Sequence, residues 1–405
     1  MVFQLVLGLQ RELRQGGRLR ENNMKFGWWR TSFVASFVVF GCLSAAVTVT
    51  GQAPPGTSSE APQMSEQVFK NVALLRGIPV DTFFDAMGMF ANAMGNDCTY
   101  CHAPTAPLDR AQFATPTARI NKAREMIVMV NAINKTYFKG ESRVTCFTCH
   151  AGNQSPRSDP NLALQYSTPV EDPNVRDFPT DTTINPNQVF DKYLQALGGQ
   201  QRVSAITSLV GSGTYTGFDT AFDAVPVQFF AKAPNQMAVV AQLTRGSSVR
   251  TFDGRNGWVS GPDSPVPVMT LTAGNLDRTR LEALASFPNG LRQAFSQWRA
   301  GRAVIGDAEV TVLQASEAGQ PVANLYFDES GLLVRMVRWT STPVGFVPTQ
   351  VEYSDYRDVS GVKIPFLRKV SQTYMQMTIE LKELRANVAV DSARFAKPAP
   401  GRTAG

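Results

Sequence analysis

The chain has five cysteines and two histidines in 405 residues. Cys98-Thr99-Tyr100-Cys101-His102 and Cys146-Phe147-Thr148-Cys149-His150 are two copies of Cys-x-x-Cys-His, and between them they use both histidines. Two thiols separated by two residues can reach the two vinyl groups of one haem and form thioethers. The next residue then lies under the iron, where an imidazole becomes an axial ligand. The spacing therefore predicts two covalently bound haem c groups, attached through Cys98, Cys101, Cys146 and Cys149, with His102 and His150 on the irons. No third histidine exists, so bis-histidine ligation is excluded and each sixth ligand is methionine, lysine, water or nothing. Two other readings use the same cysteines. A zinc ribbon would gather all four thiolates but has no need of a histidine after each pair. Disulfides would suit an exported chain but leave the spacing unexplained. A thioredoxin-type redox pair calls for a βαβ setting, whereas the surroundings here are helical in pattern.

Each motif follows a segment with helical periodicity and methionines on its apolar side. Asp81 is a candidate N-cap for a helix running to about Ala93, with Phe83, Met87, Phe90 and Met94 at helical spacing. A second helix is expected from about Thr117 to Tyr137, with Ile120, Ala123, Met126, Ile127, Val130 and Ile133 along it. On spacing alone these methionines read equally as core packing or as iron ligands.

Residues 65–152 resemble the cytochrome c subunit of photosynthetic reaction centres, reduced to two haem units. The resemblance is carried by Met87 with Gly95-x-x-Cys-Thr-Tyr-Cys-His at the first site. At the second it is carried by Ala123-Arg124-x-Met126-x-x-Met129, Ile133-Asn134 and Val144-Thr145 before the motif. In that family a methionine on the helix before each motif is usually the sixth ligand. The resemblance thus implies Met87 and Met126 as ligands, with Met89 and Met129 as rivals. Ala151 stands where the family often has arginine, and no third or fourth haem motif is present, so a photosynthetic role does not follow.

The flanking segments set the context. Lys25 and Arg30 precede an uncharged apolar run from Ser32 to Val49, the pattern of a signal peptide. An uncleaved anchor, or lipid attachment at Cys42, fits the same run, and all three make the chain an exported, periplasmic protein, anchored at its N-terminus in the second case. The first 30 residues carry six of the basic side chains, so the net charge of +6 gives no reason to expect a nucleic-acid partner. The expected division is a signal or anchor over 1–51, a dihaem cytochrome c domain over 62–155, a Pro-rich linker over 156–186 and a sheet domain over 187–397. The linker reads either as an extended spacer or as a loop wrapped over the haem domain.

In the last region an amphipathic helix from Gln188 to Leu197 ends at Gly198-Gly199. Strand patterns follow, among them Ser208–Gly217, Val225–Lys232, Gln236–Leu243 and one long run Leu367–Leu384, with a helical insert over Leu276–Ala300. The expected fold is multidomain: a mainly α cytochrome domain followed by an α+β antiparallel half-barrel. The glycine pair and Tyr353-Ser-Asp-Tyr-Arg-Asp-Val-Ser-Gly-Val-Lys-Ile-Pro-Phe366 resemble the lipoprotein-localisation and outer-membrane lipoprotein-sorting family, which implies an apolar groove. Asp328, Glu329 and Asp355 read as solvated turn residues.

The function expected is single-electron transfer rather than enzymatic turnover. The partners would be other electron-transfer proteins or membrane redox complexes, and the last domain would take an apolar ligand or a membrane surface. A peroxidase-like dihaem enzyme, or an apolar-ligand or lipoprotein carrier with a redox-sensing cytochrome domain, are the alternatives.

Overall fold

Alternating burial along Gly345–Tyr353, every second residue inward, is the signature of a strand with one face on a core. Thirteen such strands build one antiparallel sheet: β1 (Ser208–Gly217), β2 (Val225–Lys232), β3 (Gln236–Leu243), β4 (Gly246–Phe252), β5 (Gly257–Ser260), β6 (Met269–Thr270), β7 (Gln297–Ile305), β8 (Ala308–Glu317), β9 (Gln320–Phe327), β10 (Leu333–Thr342), β11 (Gly345–Val359), β12 (Val362–Ser371) and β13 (Gln376–Ala386). This computed structural model describes residues 61–106, 109–167, 174–262, 264 and 266–400. The apolar run Ser32–Val49 lies outside them. Among the described residues no helix is long and apolar enough to cross a membrane.

The strand order is β6-β5-β4-β3-β2-β1-β13-β12-β11-β10-β9-β8-β7. The chain runs outward from β1 to the β6 edge, crosses, and works back from the β7 edge until β13 pairs with β1. The helices α6 (Pro186–Leu197), α7 (Gln200–Ala205) and α8 (Ala273–Ser286) bury Phe190, Tyr193, Leu197, Val203 and Leu281 in one cluster with residues of both sheet halves, including Phe229, Leu325 and Tyr353. They therefore cover one face of an open half-barrel. Each fully buried leucine or phenylalanine there contributes roughly 1.5–3 kcal/mol.

Before the sheet come α1 (Ser65–Val68), α2 (Val80–Met94), α3 (Ala118–Tyr137), α4 (Cys146–His150) and the one-turn α5 (Leu162–Gln165). The described residues belong to one compact unit. Residues 176–181 lie against the sheet. Phe178 is buried beside Val312, Tyr326 and Trp339, the Asp181 N–H donates to the Ala300 carbonyl at 2.9 Å, and the Arg176 carbonyl accepts from Gln314 at 2.8 Å.

Four local expectations are corrected. Pro79, not Asp81, sits at the N-cap of α2, and Asp81 is turned inward, 2% exposed. Leu367–Leu384 is two strands, because the chain turns at Gln372–Met375, where the Gln372 N–H meets the Met375 carbonyl at 2.7 Å. The insert over Leu276–Ala300 is helical only to Ser286, and from Gln297 the chain is the edge strand β7, paired with β8. Asp355 lies inside β11 with φ +52°, paired with Arg357 at 3.0 Å.

Candidate haem-attachment site

The two motifs meet at the C-terminal end of α2. That helix ends in a left-handed Gly95 (φ +61°), and Cys98 follows three residues later. The Gly152 N–H, two residues beyond His150, donates to the Ala93 carbonyl at 3.0 Å. A Cβ at Gly95 would overlap the Gly152 carbonyl oxygen, so glycine is required both by the turn and by the close approach.

The first motif is a short 3₁₀ turn, Cys98–Tyr100, capped by Asp97, whose carboxylate accepts from the Thr99 N–H at 2.8 Å. These bonds hold the Asp97 carboxyl below its usual range. The N-terminus of α3 clamps the same turn. Thr117 caps α3 and donates its hydroxyl to the Cys101 carbonyl at 2.7 Å, while Arg119 donates to the Tyr100 carbonyl at 2.7 Å and lies 4.1 Å over the Tyr100 ring.

The second motif is the whole of α4, capped by Thr145 in a reciprocal box with Thr148. The C-terminal part of α3 fixes its approach through Asn134, 7% exposed. The Asn134 side chain donates to the Val144 carbonyl at 2.7 Å and accepts from the Val144 N–H at 2.9 Å and the Arg143 N–H at 3.2 Å. One helix thus positions both attachment segments, and Thr117 and Asn134 lie about 25 Å apart along it.

The donor set fits a c-type haem at each segment. His150 Nδ1 is 3.1 Å from the Asn153 carbonyl, which leaves Nε2 free for a metal. His102 Nδ1 is buried without a hydrogen-bond partner, and burial pushes this imidazole below its ordinary pKa. None of the four motif cysteines is in a disulfide. Burial raises Cys98, Cys101 and Cys146, opposite to the lowered pKa of a redox-active Cys-x-x-Cys. Among the described residues no three His, Cys, Asp or Glu side chains converge as a metal site, so the four-thiolate ribbon is not formed.

The methionines divide by environment. Met89 is 6% exposed and packs with Ala86, Ala93, Val344 and Val347, against the turn between β10 and β11. Met87 is half-buried on another side of α2. On α3, Met126 is half-buried and Met129 is 44% exposed. Cys146 belongs to the same cluster as Met87 and Met94, so α2 borders the second attachment segment as well as carrying the first.

Sequence reasoning missed the seam behind α2. Asp81 accepts from the Thr272 N–H at 2.6 Å and hydroxyl at 2.8 Å, capping α8, and Asp85 accepts from Asn275 at 2.6 Å. Burial raises both carboxyls, Asp85 to about 7 against the Asn275 hydrogen bond, with the Asp81 charge adding to the rise. The only sequence signal was the i, i+4 spacing of two acids beside apolar residues.

Residues 43–215 match the family model of the photosynthetic reaction centre cytochrome C subunit. The photosynthetic reaction center cytochrome c subunit of Thermochromatium tepidum is 27% identical over 169 residues, 39% of this chain and 39% of that one. The chain therefore spans about two-fifths of the length of the curated relative it matches. The resemblance read from residues 65–152 is borne out, and that region is cytochrome-c-like. Among solved structures, a DUF1329 family protein from Desulfovibrio piger aligns with 52% of this chain and 96% of its own, at 11% identity and TM-score 0.35. A LolA superfamily protein from Nitrosomonas europaea aligns with 53% and 98%, at 12% identity and TM-score 0.33.

Proposed function

We propose that the chain is a dihaem c-type cytochrome that passes single electrons between redox partners outside the cytoplasm. The observation that carries this reading is the pair of Cys-x-x-Cys-His motifs, which together take every histidine in the chain. Cys98 and Cys101 would hold one haem and Cys146 and Cys149 the other, with His102 and His150 as proximal ligands and Met87 and Met126 as the opposite ligands. When bound, each haem supplies a reversible one-electron iron centre, whose potential a methionine ligand raises relative to a second imidazole.

The protein's own part is positional. The Asn153 carbonyl orients His150, Thr117 and Arg119 hold the first turn, and Asn134 holds the second. The choice of Met87 over Met89 is supported by packing: Met89 is committed to the contact with Val344 and Val347, while Met87 is not fully enclosed. Met126 is supported over Met129 by its partial burial on α3.

The test is a pyridine haemochrome assay with intact-mass measurement on protein made together with haem-maturation machinery. Two added haem masses are expected, with neither lost on denaturation. A matured sample that carries one haem, or none, overturns the reading.

A further inference from the structure

Two arginines inside the half-barrel lack the partners that buried cations need. Arg368 on β12 is 5% exposed and makes neither a hydrogen bond nor an ion pair among the described residues; its guanidinium lies 4.3 Å over the Phe229 ring and its Nε is unsatisfied. Arg250 on β4 likewise has no hydrogen bond or ion pair among the described residues. Other arginines on this face are paired: Arg278 with Glu282 at 2.9 Å, and Arg338 with Asp277 at 2.6 Å. A guanidinium as enclosed as that of Arg368 is destabilising without a partner, whereas Arg250 is half-buried. The contrast with its paired neighbours marks Arg250 and Arg368 as cations awaiting an anion.

Register places both on the helix-covered face. Arg368 stands opposite Ile379 and Tyr353, and Arg250 opposite Val239, which is itself opposite Phe229. Ile379, Tyr353 and Phe229 belong to the inner cluster, and Val239 packs against it. Cross-strand neighbours share a face, so both guanidinium stems point between the sheet and α8. The Arg278–Glu282 pair on α8 acts electrostatically on Arg250 and also on Tyr353, the neighbour of Arg368, whose hydroxyl has no partner. Arg250 nevertheless keeps accessible surface, so it borders open space. Burial lowers its pKa to about 10, with the Arg278 charge adding to the fall.

We infer that this interior is a binding site for an organic dicarboxylate, with one carboxylate on Arg250, the other on Arg368 and the apolar body against Phe229. Two charges are needed because Arg250 and Phe229 lie two strands apart, about 10 Å, while Arg368 covers Phe229 itself.

The experiment uses the full, haem-matured chain. Suberate is titrated calorimetrically, with octane-1,8-diol as the uncharged control and inorganic phosphate as the compact anion. Suberate is expected to bind wild type, and to bind Arg250→Met and Arg368→Met about tenfold to a hundredfold more weakly, with Arg368→Lys in between. The diol and phosphate should not bind. Without ligand, Arg368→Met should melt at or above the wild-type temperature, because an unpaired buried charge has been removed. Suberate binding that survives both substitutions, preference for phosphate, or no suberate binding to wild type overturns the proposal. So does a large drop in melting temperature of ligand-free Arg368→Met, which would make the arginine structural.

Discussion

At the scale of residues, the question is which side chain faces each iron across from histidine, and the methionine pairs supply an internal control. Met87→Ala and Met126→Ala should each convert one haem from low spin to high spin and lower its midpoint potential, read by the near-infrared methionine–iron band and by redox titration. Met129→Ala should leave both spectra unchanged, because that side chain is largely in solvent. Met89→Ala should also leave the spectra unchanged while lowering stability by about 2–5 kcal/mol, the cost of emptying a packed position beside Val344 and Val347. A high-spin Met89→Ala with an unaltered Met87→Ala would reverse the assignment on α2. The four side chains look alike in sequence. On α2, two residues further along the helix is a rotation of about 200°, and Met89 is buried in the cluster with Val344 and Val347 while Met87 packs at its margin and stays half-buried.

At the scale of elements, α2 and α4 are joined at a point with no room for a side chain. Gly95→Ala imposes a left-handed conformation on an L residue and drives its Cβ into the Gly152 carbonyl. The conformational part alone costs about 1–2 kcal/mol. Urea denaturation should show a loss at least that large, and the absorbance spectra of both haems should change, because Gly152 is two residues from His150. A spectrum altered only at the first site would mean that the junction does not couple the two segments.

Elements of this kind were legible in sequence wherever a local signal existed. Thr117 marked the start of α3, Gly198-Gly199 the end of α6, and β1, β2 and β3 were bounded by their own turns. Where local chemistry was silent, the reading failed. Ser371-Gln-Thr-Tyr374 contains neither glycine nor proline, so the turn between β12 and β13 did not announce itself. β7 is rich in alanine and arginine, which favour a helix, and becomes a strand because β8 offers a complete ladder from Gln297 to Ile305. Of the proposed site, the cysteines and histidines stand out in sequence because covalent haem attachment, the role proposed for them, requires that spacing. Asn134 was visible only through a resemblance, since its partners at 143 and 144 are brought to it by the fold.

At the scale of the whole molecule, the helical region and the sheet are joined by a polar seam beside the apolar packing of Met89 on Val344 and Val347. Gly88 lets α2 approach Tyr374, 2.7 Å from where a Cβ would stand, and the Phe84 ring lies 6.4 Å from that of Tyr374. Asp81 supplies the strongest link, since its two oxygens take the Thr272 N–H and hydroxyl. Its carboxyl is raised above 3.8 by burial, against the lowering effect of these donors. The folded protein therefore holds that proton more tightly than the unfolded chain. This favours folding fully below about pH 3.8 and is lost as pH rises through the folded value, at about 1.4 kcal/mol for each unit of the shift. The groups facing Asp81 are Asp85 on its own helix, Thr272 and Asn275 at the start of α8, and Tyr374 beyond β12. Asp85 titrates in both proteins, but it is raised less in Asp81→Asn because the Asp81 charge that adds to its rise is gone, so its contribution also makes the wild-type slope the steeper one. Denaturation curves from pH 4 to 7 should then show wild-type stability falling more steeply with pH than that of Asp81→Asn. At pH 4 the variant should be less stable by about 1–3 kcal/mol, because its amide turns N–H groups toward the donors of Thr272 and Asn275. Parallel curves would mean that Asp81 keeps its charge in the seam, and that four donors outweigh the burial of a carboxylate.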